Sequence, residues 1–161
     1  MTVGNQASTQ ANTGARRLSR TVLPELYELR IEPDLANASF QGDETIKVKI
    51  ASPVNSIVLN TAEIIIEHAT LRPASAALQD SILNATISCD EDAQITTLSW
   101  SKPADSGEWL LELKFRGILN DKLRGFYRSS YKDSEGKEDL IATTKFEPSD
   151  ARRAFPCFDE P

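Results

Sequence analysis

The period of the apolar residues restricts the fold of this chain more than any other feature of its sequence. Apolar and polar residues alternate in three stretches: 27–31 (YELRI), 46–50 (IKVKI) and 111–115 (LELKF). Side chains of a β-strand point alternately to the two faces of a sheet, so this period places one face against a core and the other in water. Each stretch is therefore predicted to be a strand with one solvated face.

Short apolar runs separated by turn-forming residues continue this pattern along the chain. Further strands are predicted at residues 56–60, 64–71, 82–89, 93–100 and 140–144, and the third alternating stretch extends over 108–116. Pro33 is expected to end the first strand, and 102–107 (KPADSG) to form a turn. Residues 118–131 read as a loop with aromatic positions, and 132–139 as a polar hairpin tip. Such a series of strands predicts an all-β, mainly antiparallel domain over residues 18–161, either a sandwich or a saddle-shaped sheet.

Charge and hydropathy exclude several kinds of partner. The formal charge is -6 and the sequence pI is about 4.9, whereas nucleic-acid binding needs clustered Lys and Arg. No apolar run is long enough for a membrane span, and the polar residues 1–17 contain no apolar core of a signal peptide. We predict that 1–17 is a disordered leader and that the protein is cytoplasmic, with two reduced cysteines.

Most catalytic constellations cannot be built from this composition. The single histidine, His68, lies in a predicted strand, where a lone histidine is more often structural than a ligand. A zinc site of the HExxH type needs two histidines, and no GxSxG motif supplies a nucleophilic serine. Cys157 has only His68 as a candidate base, so a catalytic thiol is not expected. No catalytic residue and no metal ligand is predicted in this chain.

The last twenty residues, ATTKFEPSDARRAFPCFDEP, combine carboxylates with two adjacent arginines. The carboxylates are Glu147, Asp150, Asp159 and Glu160, and the arginines are Arg152 and Arg153. One interpretation is structural, with the arginines tying a proline-rich loop to the domain. The other is functional, with Glu147 facing a ligand amine through a charge-assisted hydrogen bond. The residues alone favour the structural interpretation without excluding the other.

The same segment closely resembles the signature of the zinc aminopeptidases that include aminopeptidase N and puromycin-sensitive aminopeptidase. Two other stretches are similar to that family: residues 17–50, with P-x-x-Y-x-L and F-x-G elements, and 123–131 (LRGFYRSSY). The middle, 51–105, agrees only in its strand pattern. The resemblance implies the N-terminal β-domain of a peptidase whose zinc-binding catalytic domain packs against it.

The resemblance also implies roles for two residues near the end of the chain. Glu147 matches the position that binds the free α-amine of a peptide substrate. Lys145 stands where relatives commonly have glutamine, and its ammonium group would repel a substrate amine unless it turns outward. The Glu147–Pro148 peptide bond is expected to be cis, as this family tends to have it.

The zinc-binding half of such an enzyme is not in this sequence. The HExxH motif, the later glutamate ligand and the Gly-Ala-Met-Glu-Asn motif of the family have no counterpart here. The resemblance therefore implies a fragment whose C-terminal strands are missing, which binds no zinc itself and is inactive alone. Its expected partners are peptide substrates and its own catalytic domain. The alternative is a non-catalytic β-scaffold or protein-interaction module of the same fold.

Overall fold

Strands dominate the computed structural model, which describes residues 17–75 and 81–159; the predicted leader lies outside these residues except for Arg17. The described strands are β1 (Val22–Asp34), β2 (Ser39–Ile50), β3 (Val54–Asn60), β4 (Ile64–Pro73), β5 (Leu83–Asn84), β6 (Thr86–Asp90), β7 (Ile95–Ala104), β8 (Gly107–Ile118), β9 (Gly125–Lys132) and β10 (Glu138–Lys145). A short 3-10 helix, Asp150–Arg153, follows them.

Three antiparallel sheets organise these strands. The largest has the order β1-β2-β8-β4-β5, a second has the order β3-β7-β6, and β9 pairs with β10 alone. The predicted all-β, antiparallel fold is confirmed. The saddle shape and the missing C-terminal strands stay predictions from the resemblance.

The two larger sheets share one apolar core. Strand β2 contributes Ile46, Val48 and Ile50, each at most 1% exposed, from the face that the alternation predicted. Strands β3 and β7 contribute from the opposite sheet, for example with Leu59 and Leu98, which are fully buried. Apolar area removed from water in this way stabilises the fold by about 25 cal/mol per Å².

Aromatic packing joins the small hairpin to the sandwich. The rings of Phe40 on β2 and Phe126 on β9 meet edge to face, with their centroids 5.1 Å apart. The Arg128 side chain of β9 donates a hydrogen bond to the Leu35 carbonyl at 2.8 Å. The β9–β10 hairpin is therefore fixed to the edge of the domain, and its end at Lys145 has a defined position.

The structure corrects the predicted limits of several strands. Strand β1 runs through Pro33 to Asp34, because an edge strand needs no N–H from proline on its open side. Strand β7 also continues through Pro103 to Ala104; this end lies beyond its pairing with β6, and its register with β3 shifts there between Val54 and Ser56, an irregularity of the kind that accommodates proline. The predicted turn is therefore reduced to a tight connection before Gly107. Residues 125–132 form β9 rather than a loop, with register along β10 from Lys132↔Glu138 to Gly125↔Lys145.

The predicted strand 82–89 is in fact two strands in two sheets. Strand β5 pairs with β4, while β6 pairs with β7. Ala85 lies between them and donates its N–H to the Ala69 carbonyl at 2.9 Å. Periodicity could not reveal this division, because the alternation of apolar and polar residues continues through Ala85, where the chain changes sheets.

Candidate functional site

The loop after β10 carries Glu147 on the surface. Both Glu147 and Lys145 are exposed, and no ion pair joins them within the part of the chain that the structure describes. The Glu147–Pro148 bond is cis, as predicted. The Glu147 carboxylate is therefore open to solvent at the end of a strand, where a ligand can reach it.

Aromatic contacts hold the residues on either side of this loop. Phe146 meets Phe155 edge to face with centroids 6.2 Å apart, and Phe155 meets Tyr27 of β1 in the same way at 6.0 Å. The Asp150 N–H donates to the Phe146 carbonyl at 2.8 Å, which closes the loop into a turn. The backbone that carries Glu147 is therefore held in place, while its side chain lies in solvent.

Both arginines of the 3-10 helix are paired with carboxylates. Arg153 is 7% exposed; its Nε lies 2.8 Å from Asp150 Oδ1 and its Nη1 lies 2.8 Å from Glu63 Oε2. Arg152 donates from Nε to Asp159 Oδ2 at 3.0 Å. The structural interpretation of this segment is thus confirmed for the arginines. Glu160 lies outside the described residues.

Backbone hydrogen bonds tie the end of the described chain to the sandwich. Asn60 and Cys157 exchange two bonds, of 2.7 and 3.1 Å, and Asn60 Nδ2 donates to the Phe158 carbonyl at 3.0 Å. The Phe158 N–H donates to the Tyr27 hydroxyl at 3.1 Å. Burial raises the pKa of the Tyr27 phenol to about 12, so it stays a neutral acceptor at physiological pH.

The two cysteines differ in exposure, and Cys157 does not have the setting of a nucleophile. Both are free thiols, as predicted; Cys89 is exposed and Cys157 is buried. Burial raises the pKa of Cys157 to about 12, which keeps it protonated, and a protonated thiol is a poor nucleophile. Cys157 therefore packs and does not react.

The described residues do not offer a set of zinc ligands. No three His, Cys, Asp or Glu side chains converge within residues 17–75 and 81–159. His68 is exposed on β4 beside a register shift between Ile66 and His68. No helix among the described residues is long and apolar enough to cross a membrane.

Two buried or partly buried carboxylates were missed by the sequence reasoning, one beside the turn of Glu147 and one within the large sheet. Glu63 pairs with Arg153 from a turn before β4, and nothing in the sequence around it indicates this partner. Glu44 is 2% exposed on the inner face of β2, and neither carboxylate oxygen has a hydrogen-bond partner among the described residues. Here a signal existed, because Glu44 occupies an inward position of the alternation that continues through Ile46 and Val48.

The fold and the held turn define this chain as an antiparallel β-domain that presents a carboxylate at a strand end. The family profile described as the Peptidase M1 N-terminal domain matches residues 23–161. The chain belongs to this family, which confirms the resemblance seen in its sequence.

Named relatives agree along nearly the whole chain. Aminopeptidase M1-B of Oryza sativa subsp. japonica is 38% identical over 155 residues, which are 96% of this chain and 17% of that protein. Aminopeptidase 2, mitochondrial, of Saccharomyces cerevisiae is 40% identical over 149 residues, 89% of this chain and 15% of that protein. Puromycin-sensitive aminopeptidase of Caenorhabditis elegans is 37% identical over 145 residues, which are 90% of this chain and 15% of that protein. The chain thus spans only about a sixth of the length of these curated relatives.

Proposed function

We propose that this chain is the N-terminal portion of a zinc-dependent aminopeptidase and that Glu147 binds the α-amine of its peptide substrates. The observation that carries the proposal is the exposed carboxylate of Glu147 on a turn held at both ends. A carboxylate facing an ammonium group forms a charge-assisted hydrogen bond, about twice as strong as a neutral one. Fixing the amine also fixes which peptide bond lies at the catalytic centre, so one residue is released from the N-terminus.

The catalytic step belongs to residues outside this chain. Because the described residues hold no ligand set for zinc, the metal of the whole protein would be bound by the catalytic domain. This chain alone would bind no zinc and hydrolyse nothing. Its contribution is to orient the substrate and to support the catalytic domain, and its location in the cytoplasm stays a prediction from the sequence.

Lys145 bears on the alternative, a non-catalytic scaffold or interaction module of the same fold. Its ammonium group lies on the same exposed strand end as Glu147 and forms no ion pair with it within the described residues. A cation there opposes the capture of an amine. We retain the enzyme as the proposal because a scaffold has no need of an exposed carboxylate at the matching position.

Substitution of Glu147 in the full-length protein tests the proposal. We expect Glu147→Gln to lower kcat/KM for leucyl-4-nitroanilide by about 10- to 100-fold, mainly through a higher KM. The substitution removes the negative charge of the side chain that binds the substrate amine. The control is Glu138→Gln, an exposed glutamate at the other end of β10. An unchanged kcat/KM in Glu147→Gln would show that this carboxylate does not bind the amine. Absence of any hydrolysis by the full-length protein would favour the scaffold.

A further inference from the structure

The position of Glu147 depends on how the two ends of its turn are held. The turn begins where β10 ends at Lys145, which lies opposite Gly125, the first residue of β9. It ends at Asp150, the first residue of the 3-10 helix. Any residue that fixes both Gly125 and Asp150 therefore fixes Glu147.

Arg153 contacts both of these ends. Gly125 has a φ of 69°, and a Cβ atom built on it would lie 2.5 Å from Arg153 Cβ and 3.0 Å from its Cδ. The aliphatic stem of Arg153 thus lies directly on the Gly125 backbone, at a distance that no other residue type at 125 would allow. Its Nε contacts Asp150 at 2.8 Å, which ties it to the far end of the turn.

Glu63 attaches this arrangement to the sandwich. Its carboxylate lies 2.8 Å from Arg153 Nη1, and the Arg153 side chain is 8% exposed against 30% for Glu63. One residue before it, the Ala62 N–H donates to the Arg152 carbonyl at 2.9 Å. The residue before β4, the 3-10 helix and the start of β9 therefore meet at the buried side chain of Arg153.

We propose that Arg153, seated on Gly125 and bound to Asp150 and Glu63, is the positioning residue for the amine-binding carboxylate of Glu147. This inference rests on the proposed function of Glu147. Arg153 itself touches no substrate; it sets the place of the turn that displays Glu147. A displacement of about 1 Å in a substrate-positioning group can cost as much as 100-fold in rate.

The test compares the affinity of the full-length enzyme for two competitive inhibitors, leucinol and 4-methylpentan-1-ol, which differ only in the amine. Their ratio of inhibition constants measures amine binding and is insensitive to the rest of the pocket. We expect Gly125→Ala to reduce this amine advantage at least tenfold, because its methyl group displaces Arg153. The matched control is Gly136→Ala, a glycine of similar φ (80°) with nothing within 4 Å of its Cβ position; its ratio should stay within about twofold of wild type.

Two further variants keep each outcome decisive. Glu63→Gln keeps the shape and removes the charge that holds Arg153, and it should also reduce the ratio even if Gly125→Ala does not fold. If Glu147→Ala abolishes the amine advantage while Gly125→Ala and Glu63→Gln leave it unchanged, the positioning role is overturned and the proposed function stands. If Glu147→Ala leaves the ratio unchanged, the proposed function fails and this inference fails with it.

Discussion

Arg153 and Glu44 are both buried ionisable residues, 7% and 2% exposed, yet their surroundings differ completely. Arg153 has carboxylate partners on two separate parts of the chain. Glu44 lies between Leu29 and Leu113 in the five-stranded sheet, and neither of its oxygens has a partner among the described residues. Burial without a partner raises the pKa of Glu44 to about 9, so it is neutral at physiological pH.

The difference between these two residues shows where this fold can keep a buried charge. Inside a paired sheet the backbone N–H groups are used by neighbouring strands, and none is free to bind a carboxylate. The segment after β10 is irregular, so its side chains and backbone remain available for ion pairs and hydrogen bonds. A buried charge such as that of Arg153 is therefore paired in the irregular segment, whereas the buried carboxyl group of Glu44 in the sheet has no partner among the described residues.

The largest effect expected from this contrast is a change in the free energy of unfolding with pH. Between the usual pKa of 4.5 and the folded value of about 9, folded Glu44 keeps a proton that the unfolded chain has lost. The free energy of unfolding should therefore fall as pH rises through this window, by up to about 1.4 kcal/mol per pH unit from this group.

Urea unfolding of the purified chain at pH 5, 6, 7 and 8 measures this slope. Glu44→Gln should flatten it, whereas Glu28→Gln, on the exposed side of β1, should keep the wild-type slope. If the wild type and Glu44→Gln had the same slope, Glu44 would be ionised in the folded chain and the contrast with Arg153 would disappear.

Removal of the paired charge should have the next largest effect. Arg153→Met removes the cation paired with Asp150 and leaves Glu63 with the Lys122 ammonium group at 3.7 Å. Removing one partner of a buried pair typically costs about 3–5 kcal/mol. We expect a loss of about 3 kcal/mol in the free energy of unfolding, because Glu63 is partly exposed. Arg116→Met, which breaks an exposed pair with Glu67, should cost less than about 1 kcal/mol. Equal losses in the two variants would contradict the importance of burial.

The neutral hydrogen bond between Tyr27 and Phe158 should contribute least to the free energy of unfolding. Tyr27→Phe removes the hydroxyl that accepts the Phe158 N–H and leaves this donor unpaired. We expect the free energy of unfolding to fall by about 1 kcal/mol. Tyr131→Phe, at an exposed position of β9, serves as the control and should have no measurable effect. A similar loss in both variants would show that the bond to Phe158 does not hold the terminal segment.

The regular part of this molecule could be predicted from its sequence, and the irregular part only through resemblance. Alternation at 46–50 fixes a strand, because the face of each side chain follows from the period. It could not predict β9, which lacks clear alternation and depends on pairing with β10. At the site, the cis conformation of the Glu147–Pro148 bond could be predicted from the resemblance. The Glu63–Arg153 ion pair could be found only in the structure, because it joins residues far apart in sequence.

The most direct test of the central claim, that this chain is part of an aminopeptidase, is to read the gene downstream of the Pro161 codon. We predict an open frame that encodes Gly-Ala-Met-Glu-Asn and then HExxH followed by a later glutamate. The two histidines of HExxH and the later glutamate would supply the zinc site that the described residues do not provide. A continuing frame in which these ligands are replaced, or a stop codon at this point, would contradict the claim. The exposed Glu147 would then belong to a binding module and not to a peptidase.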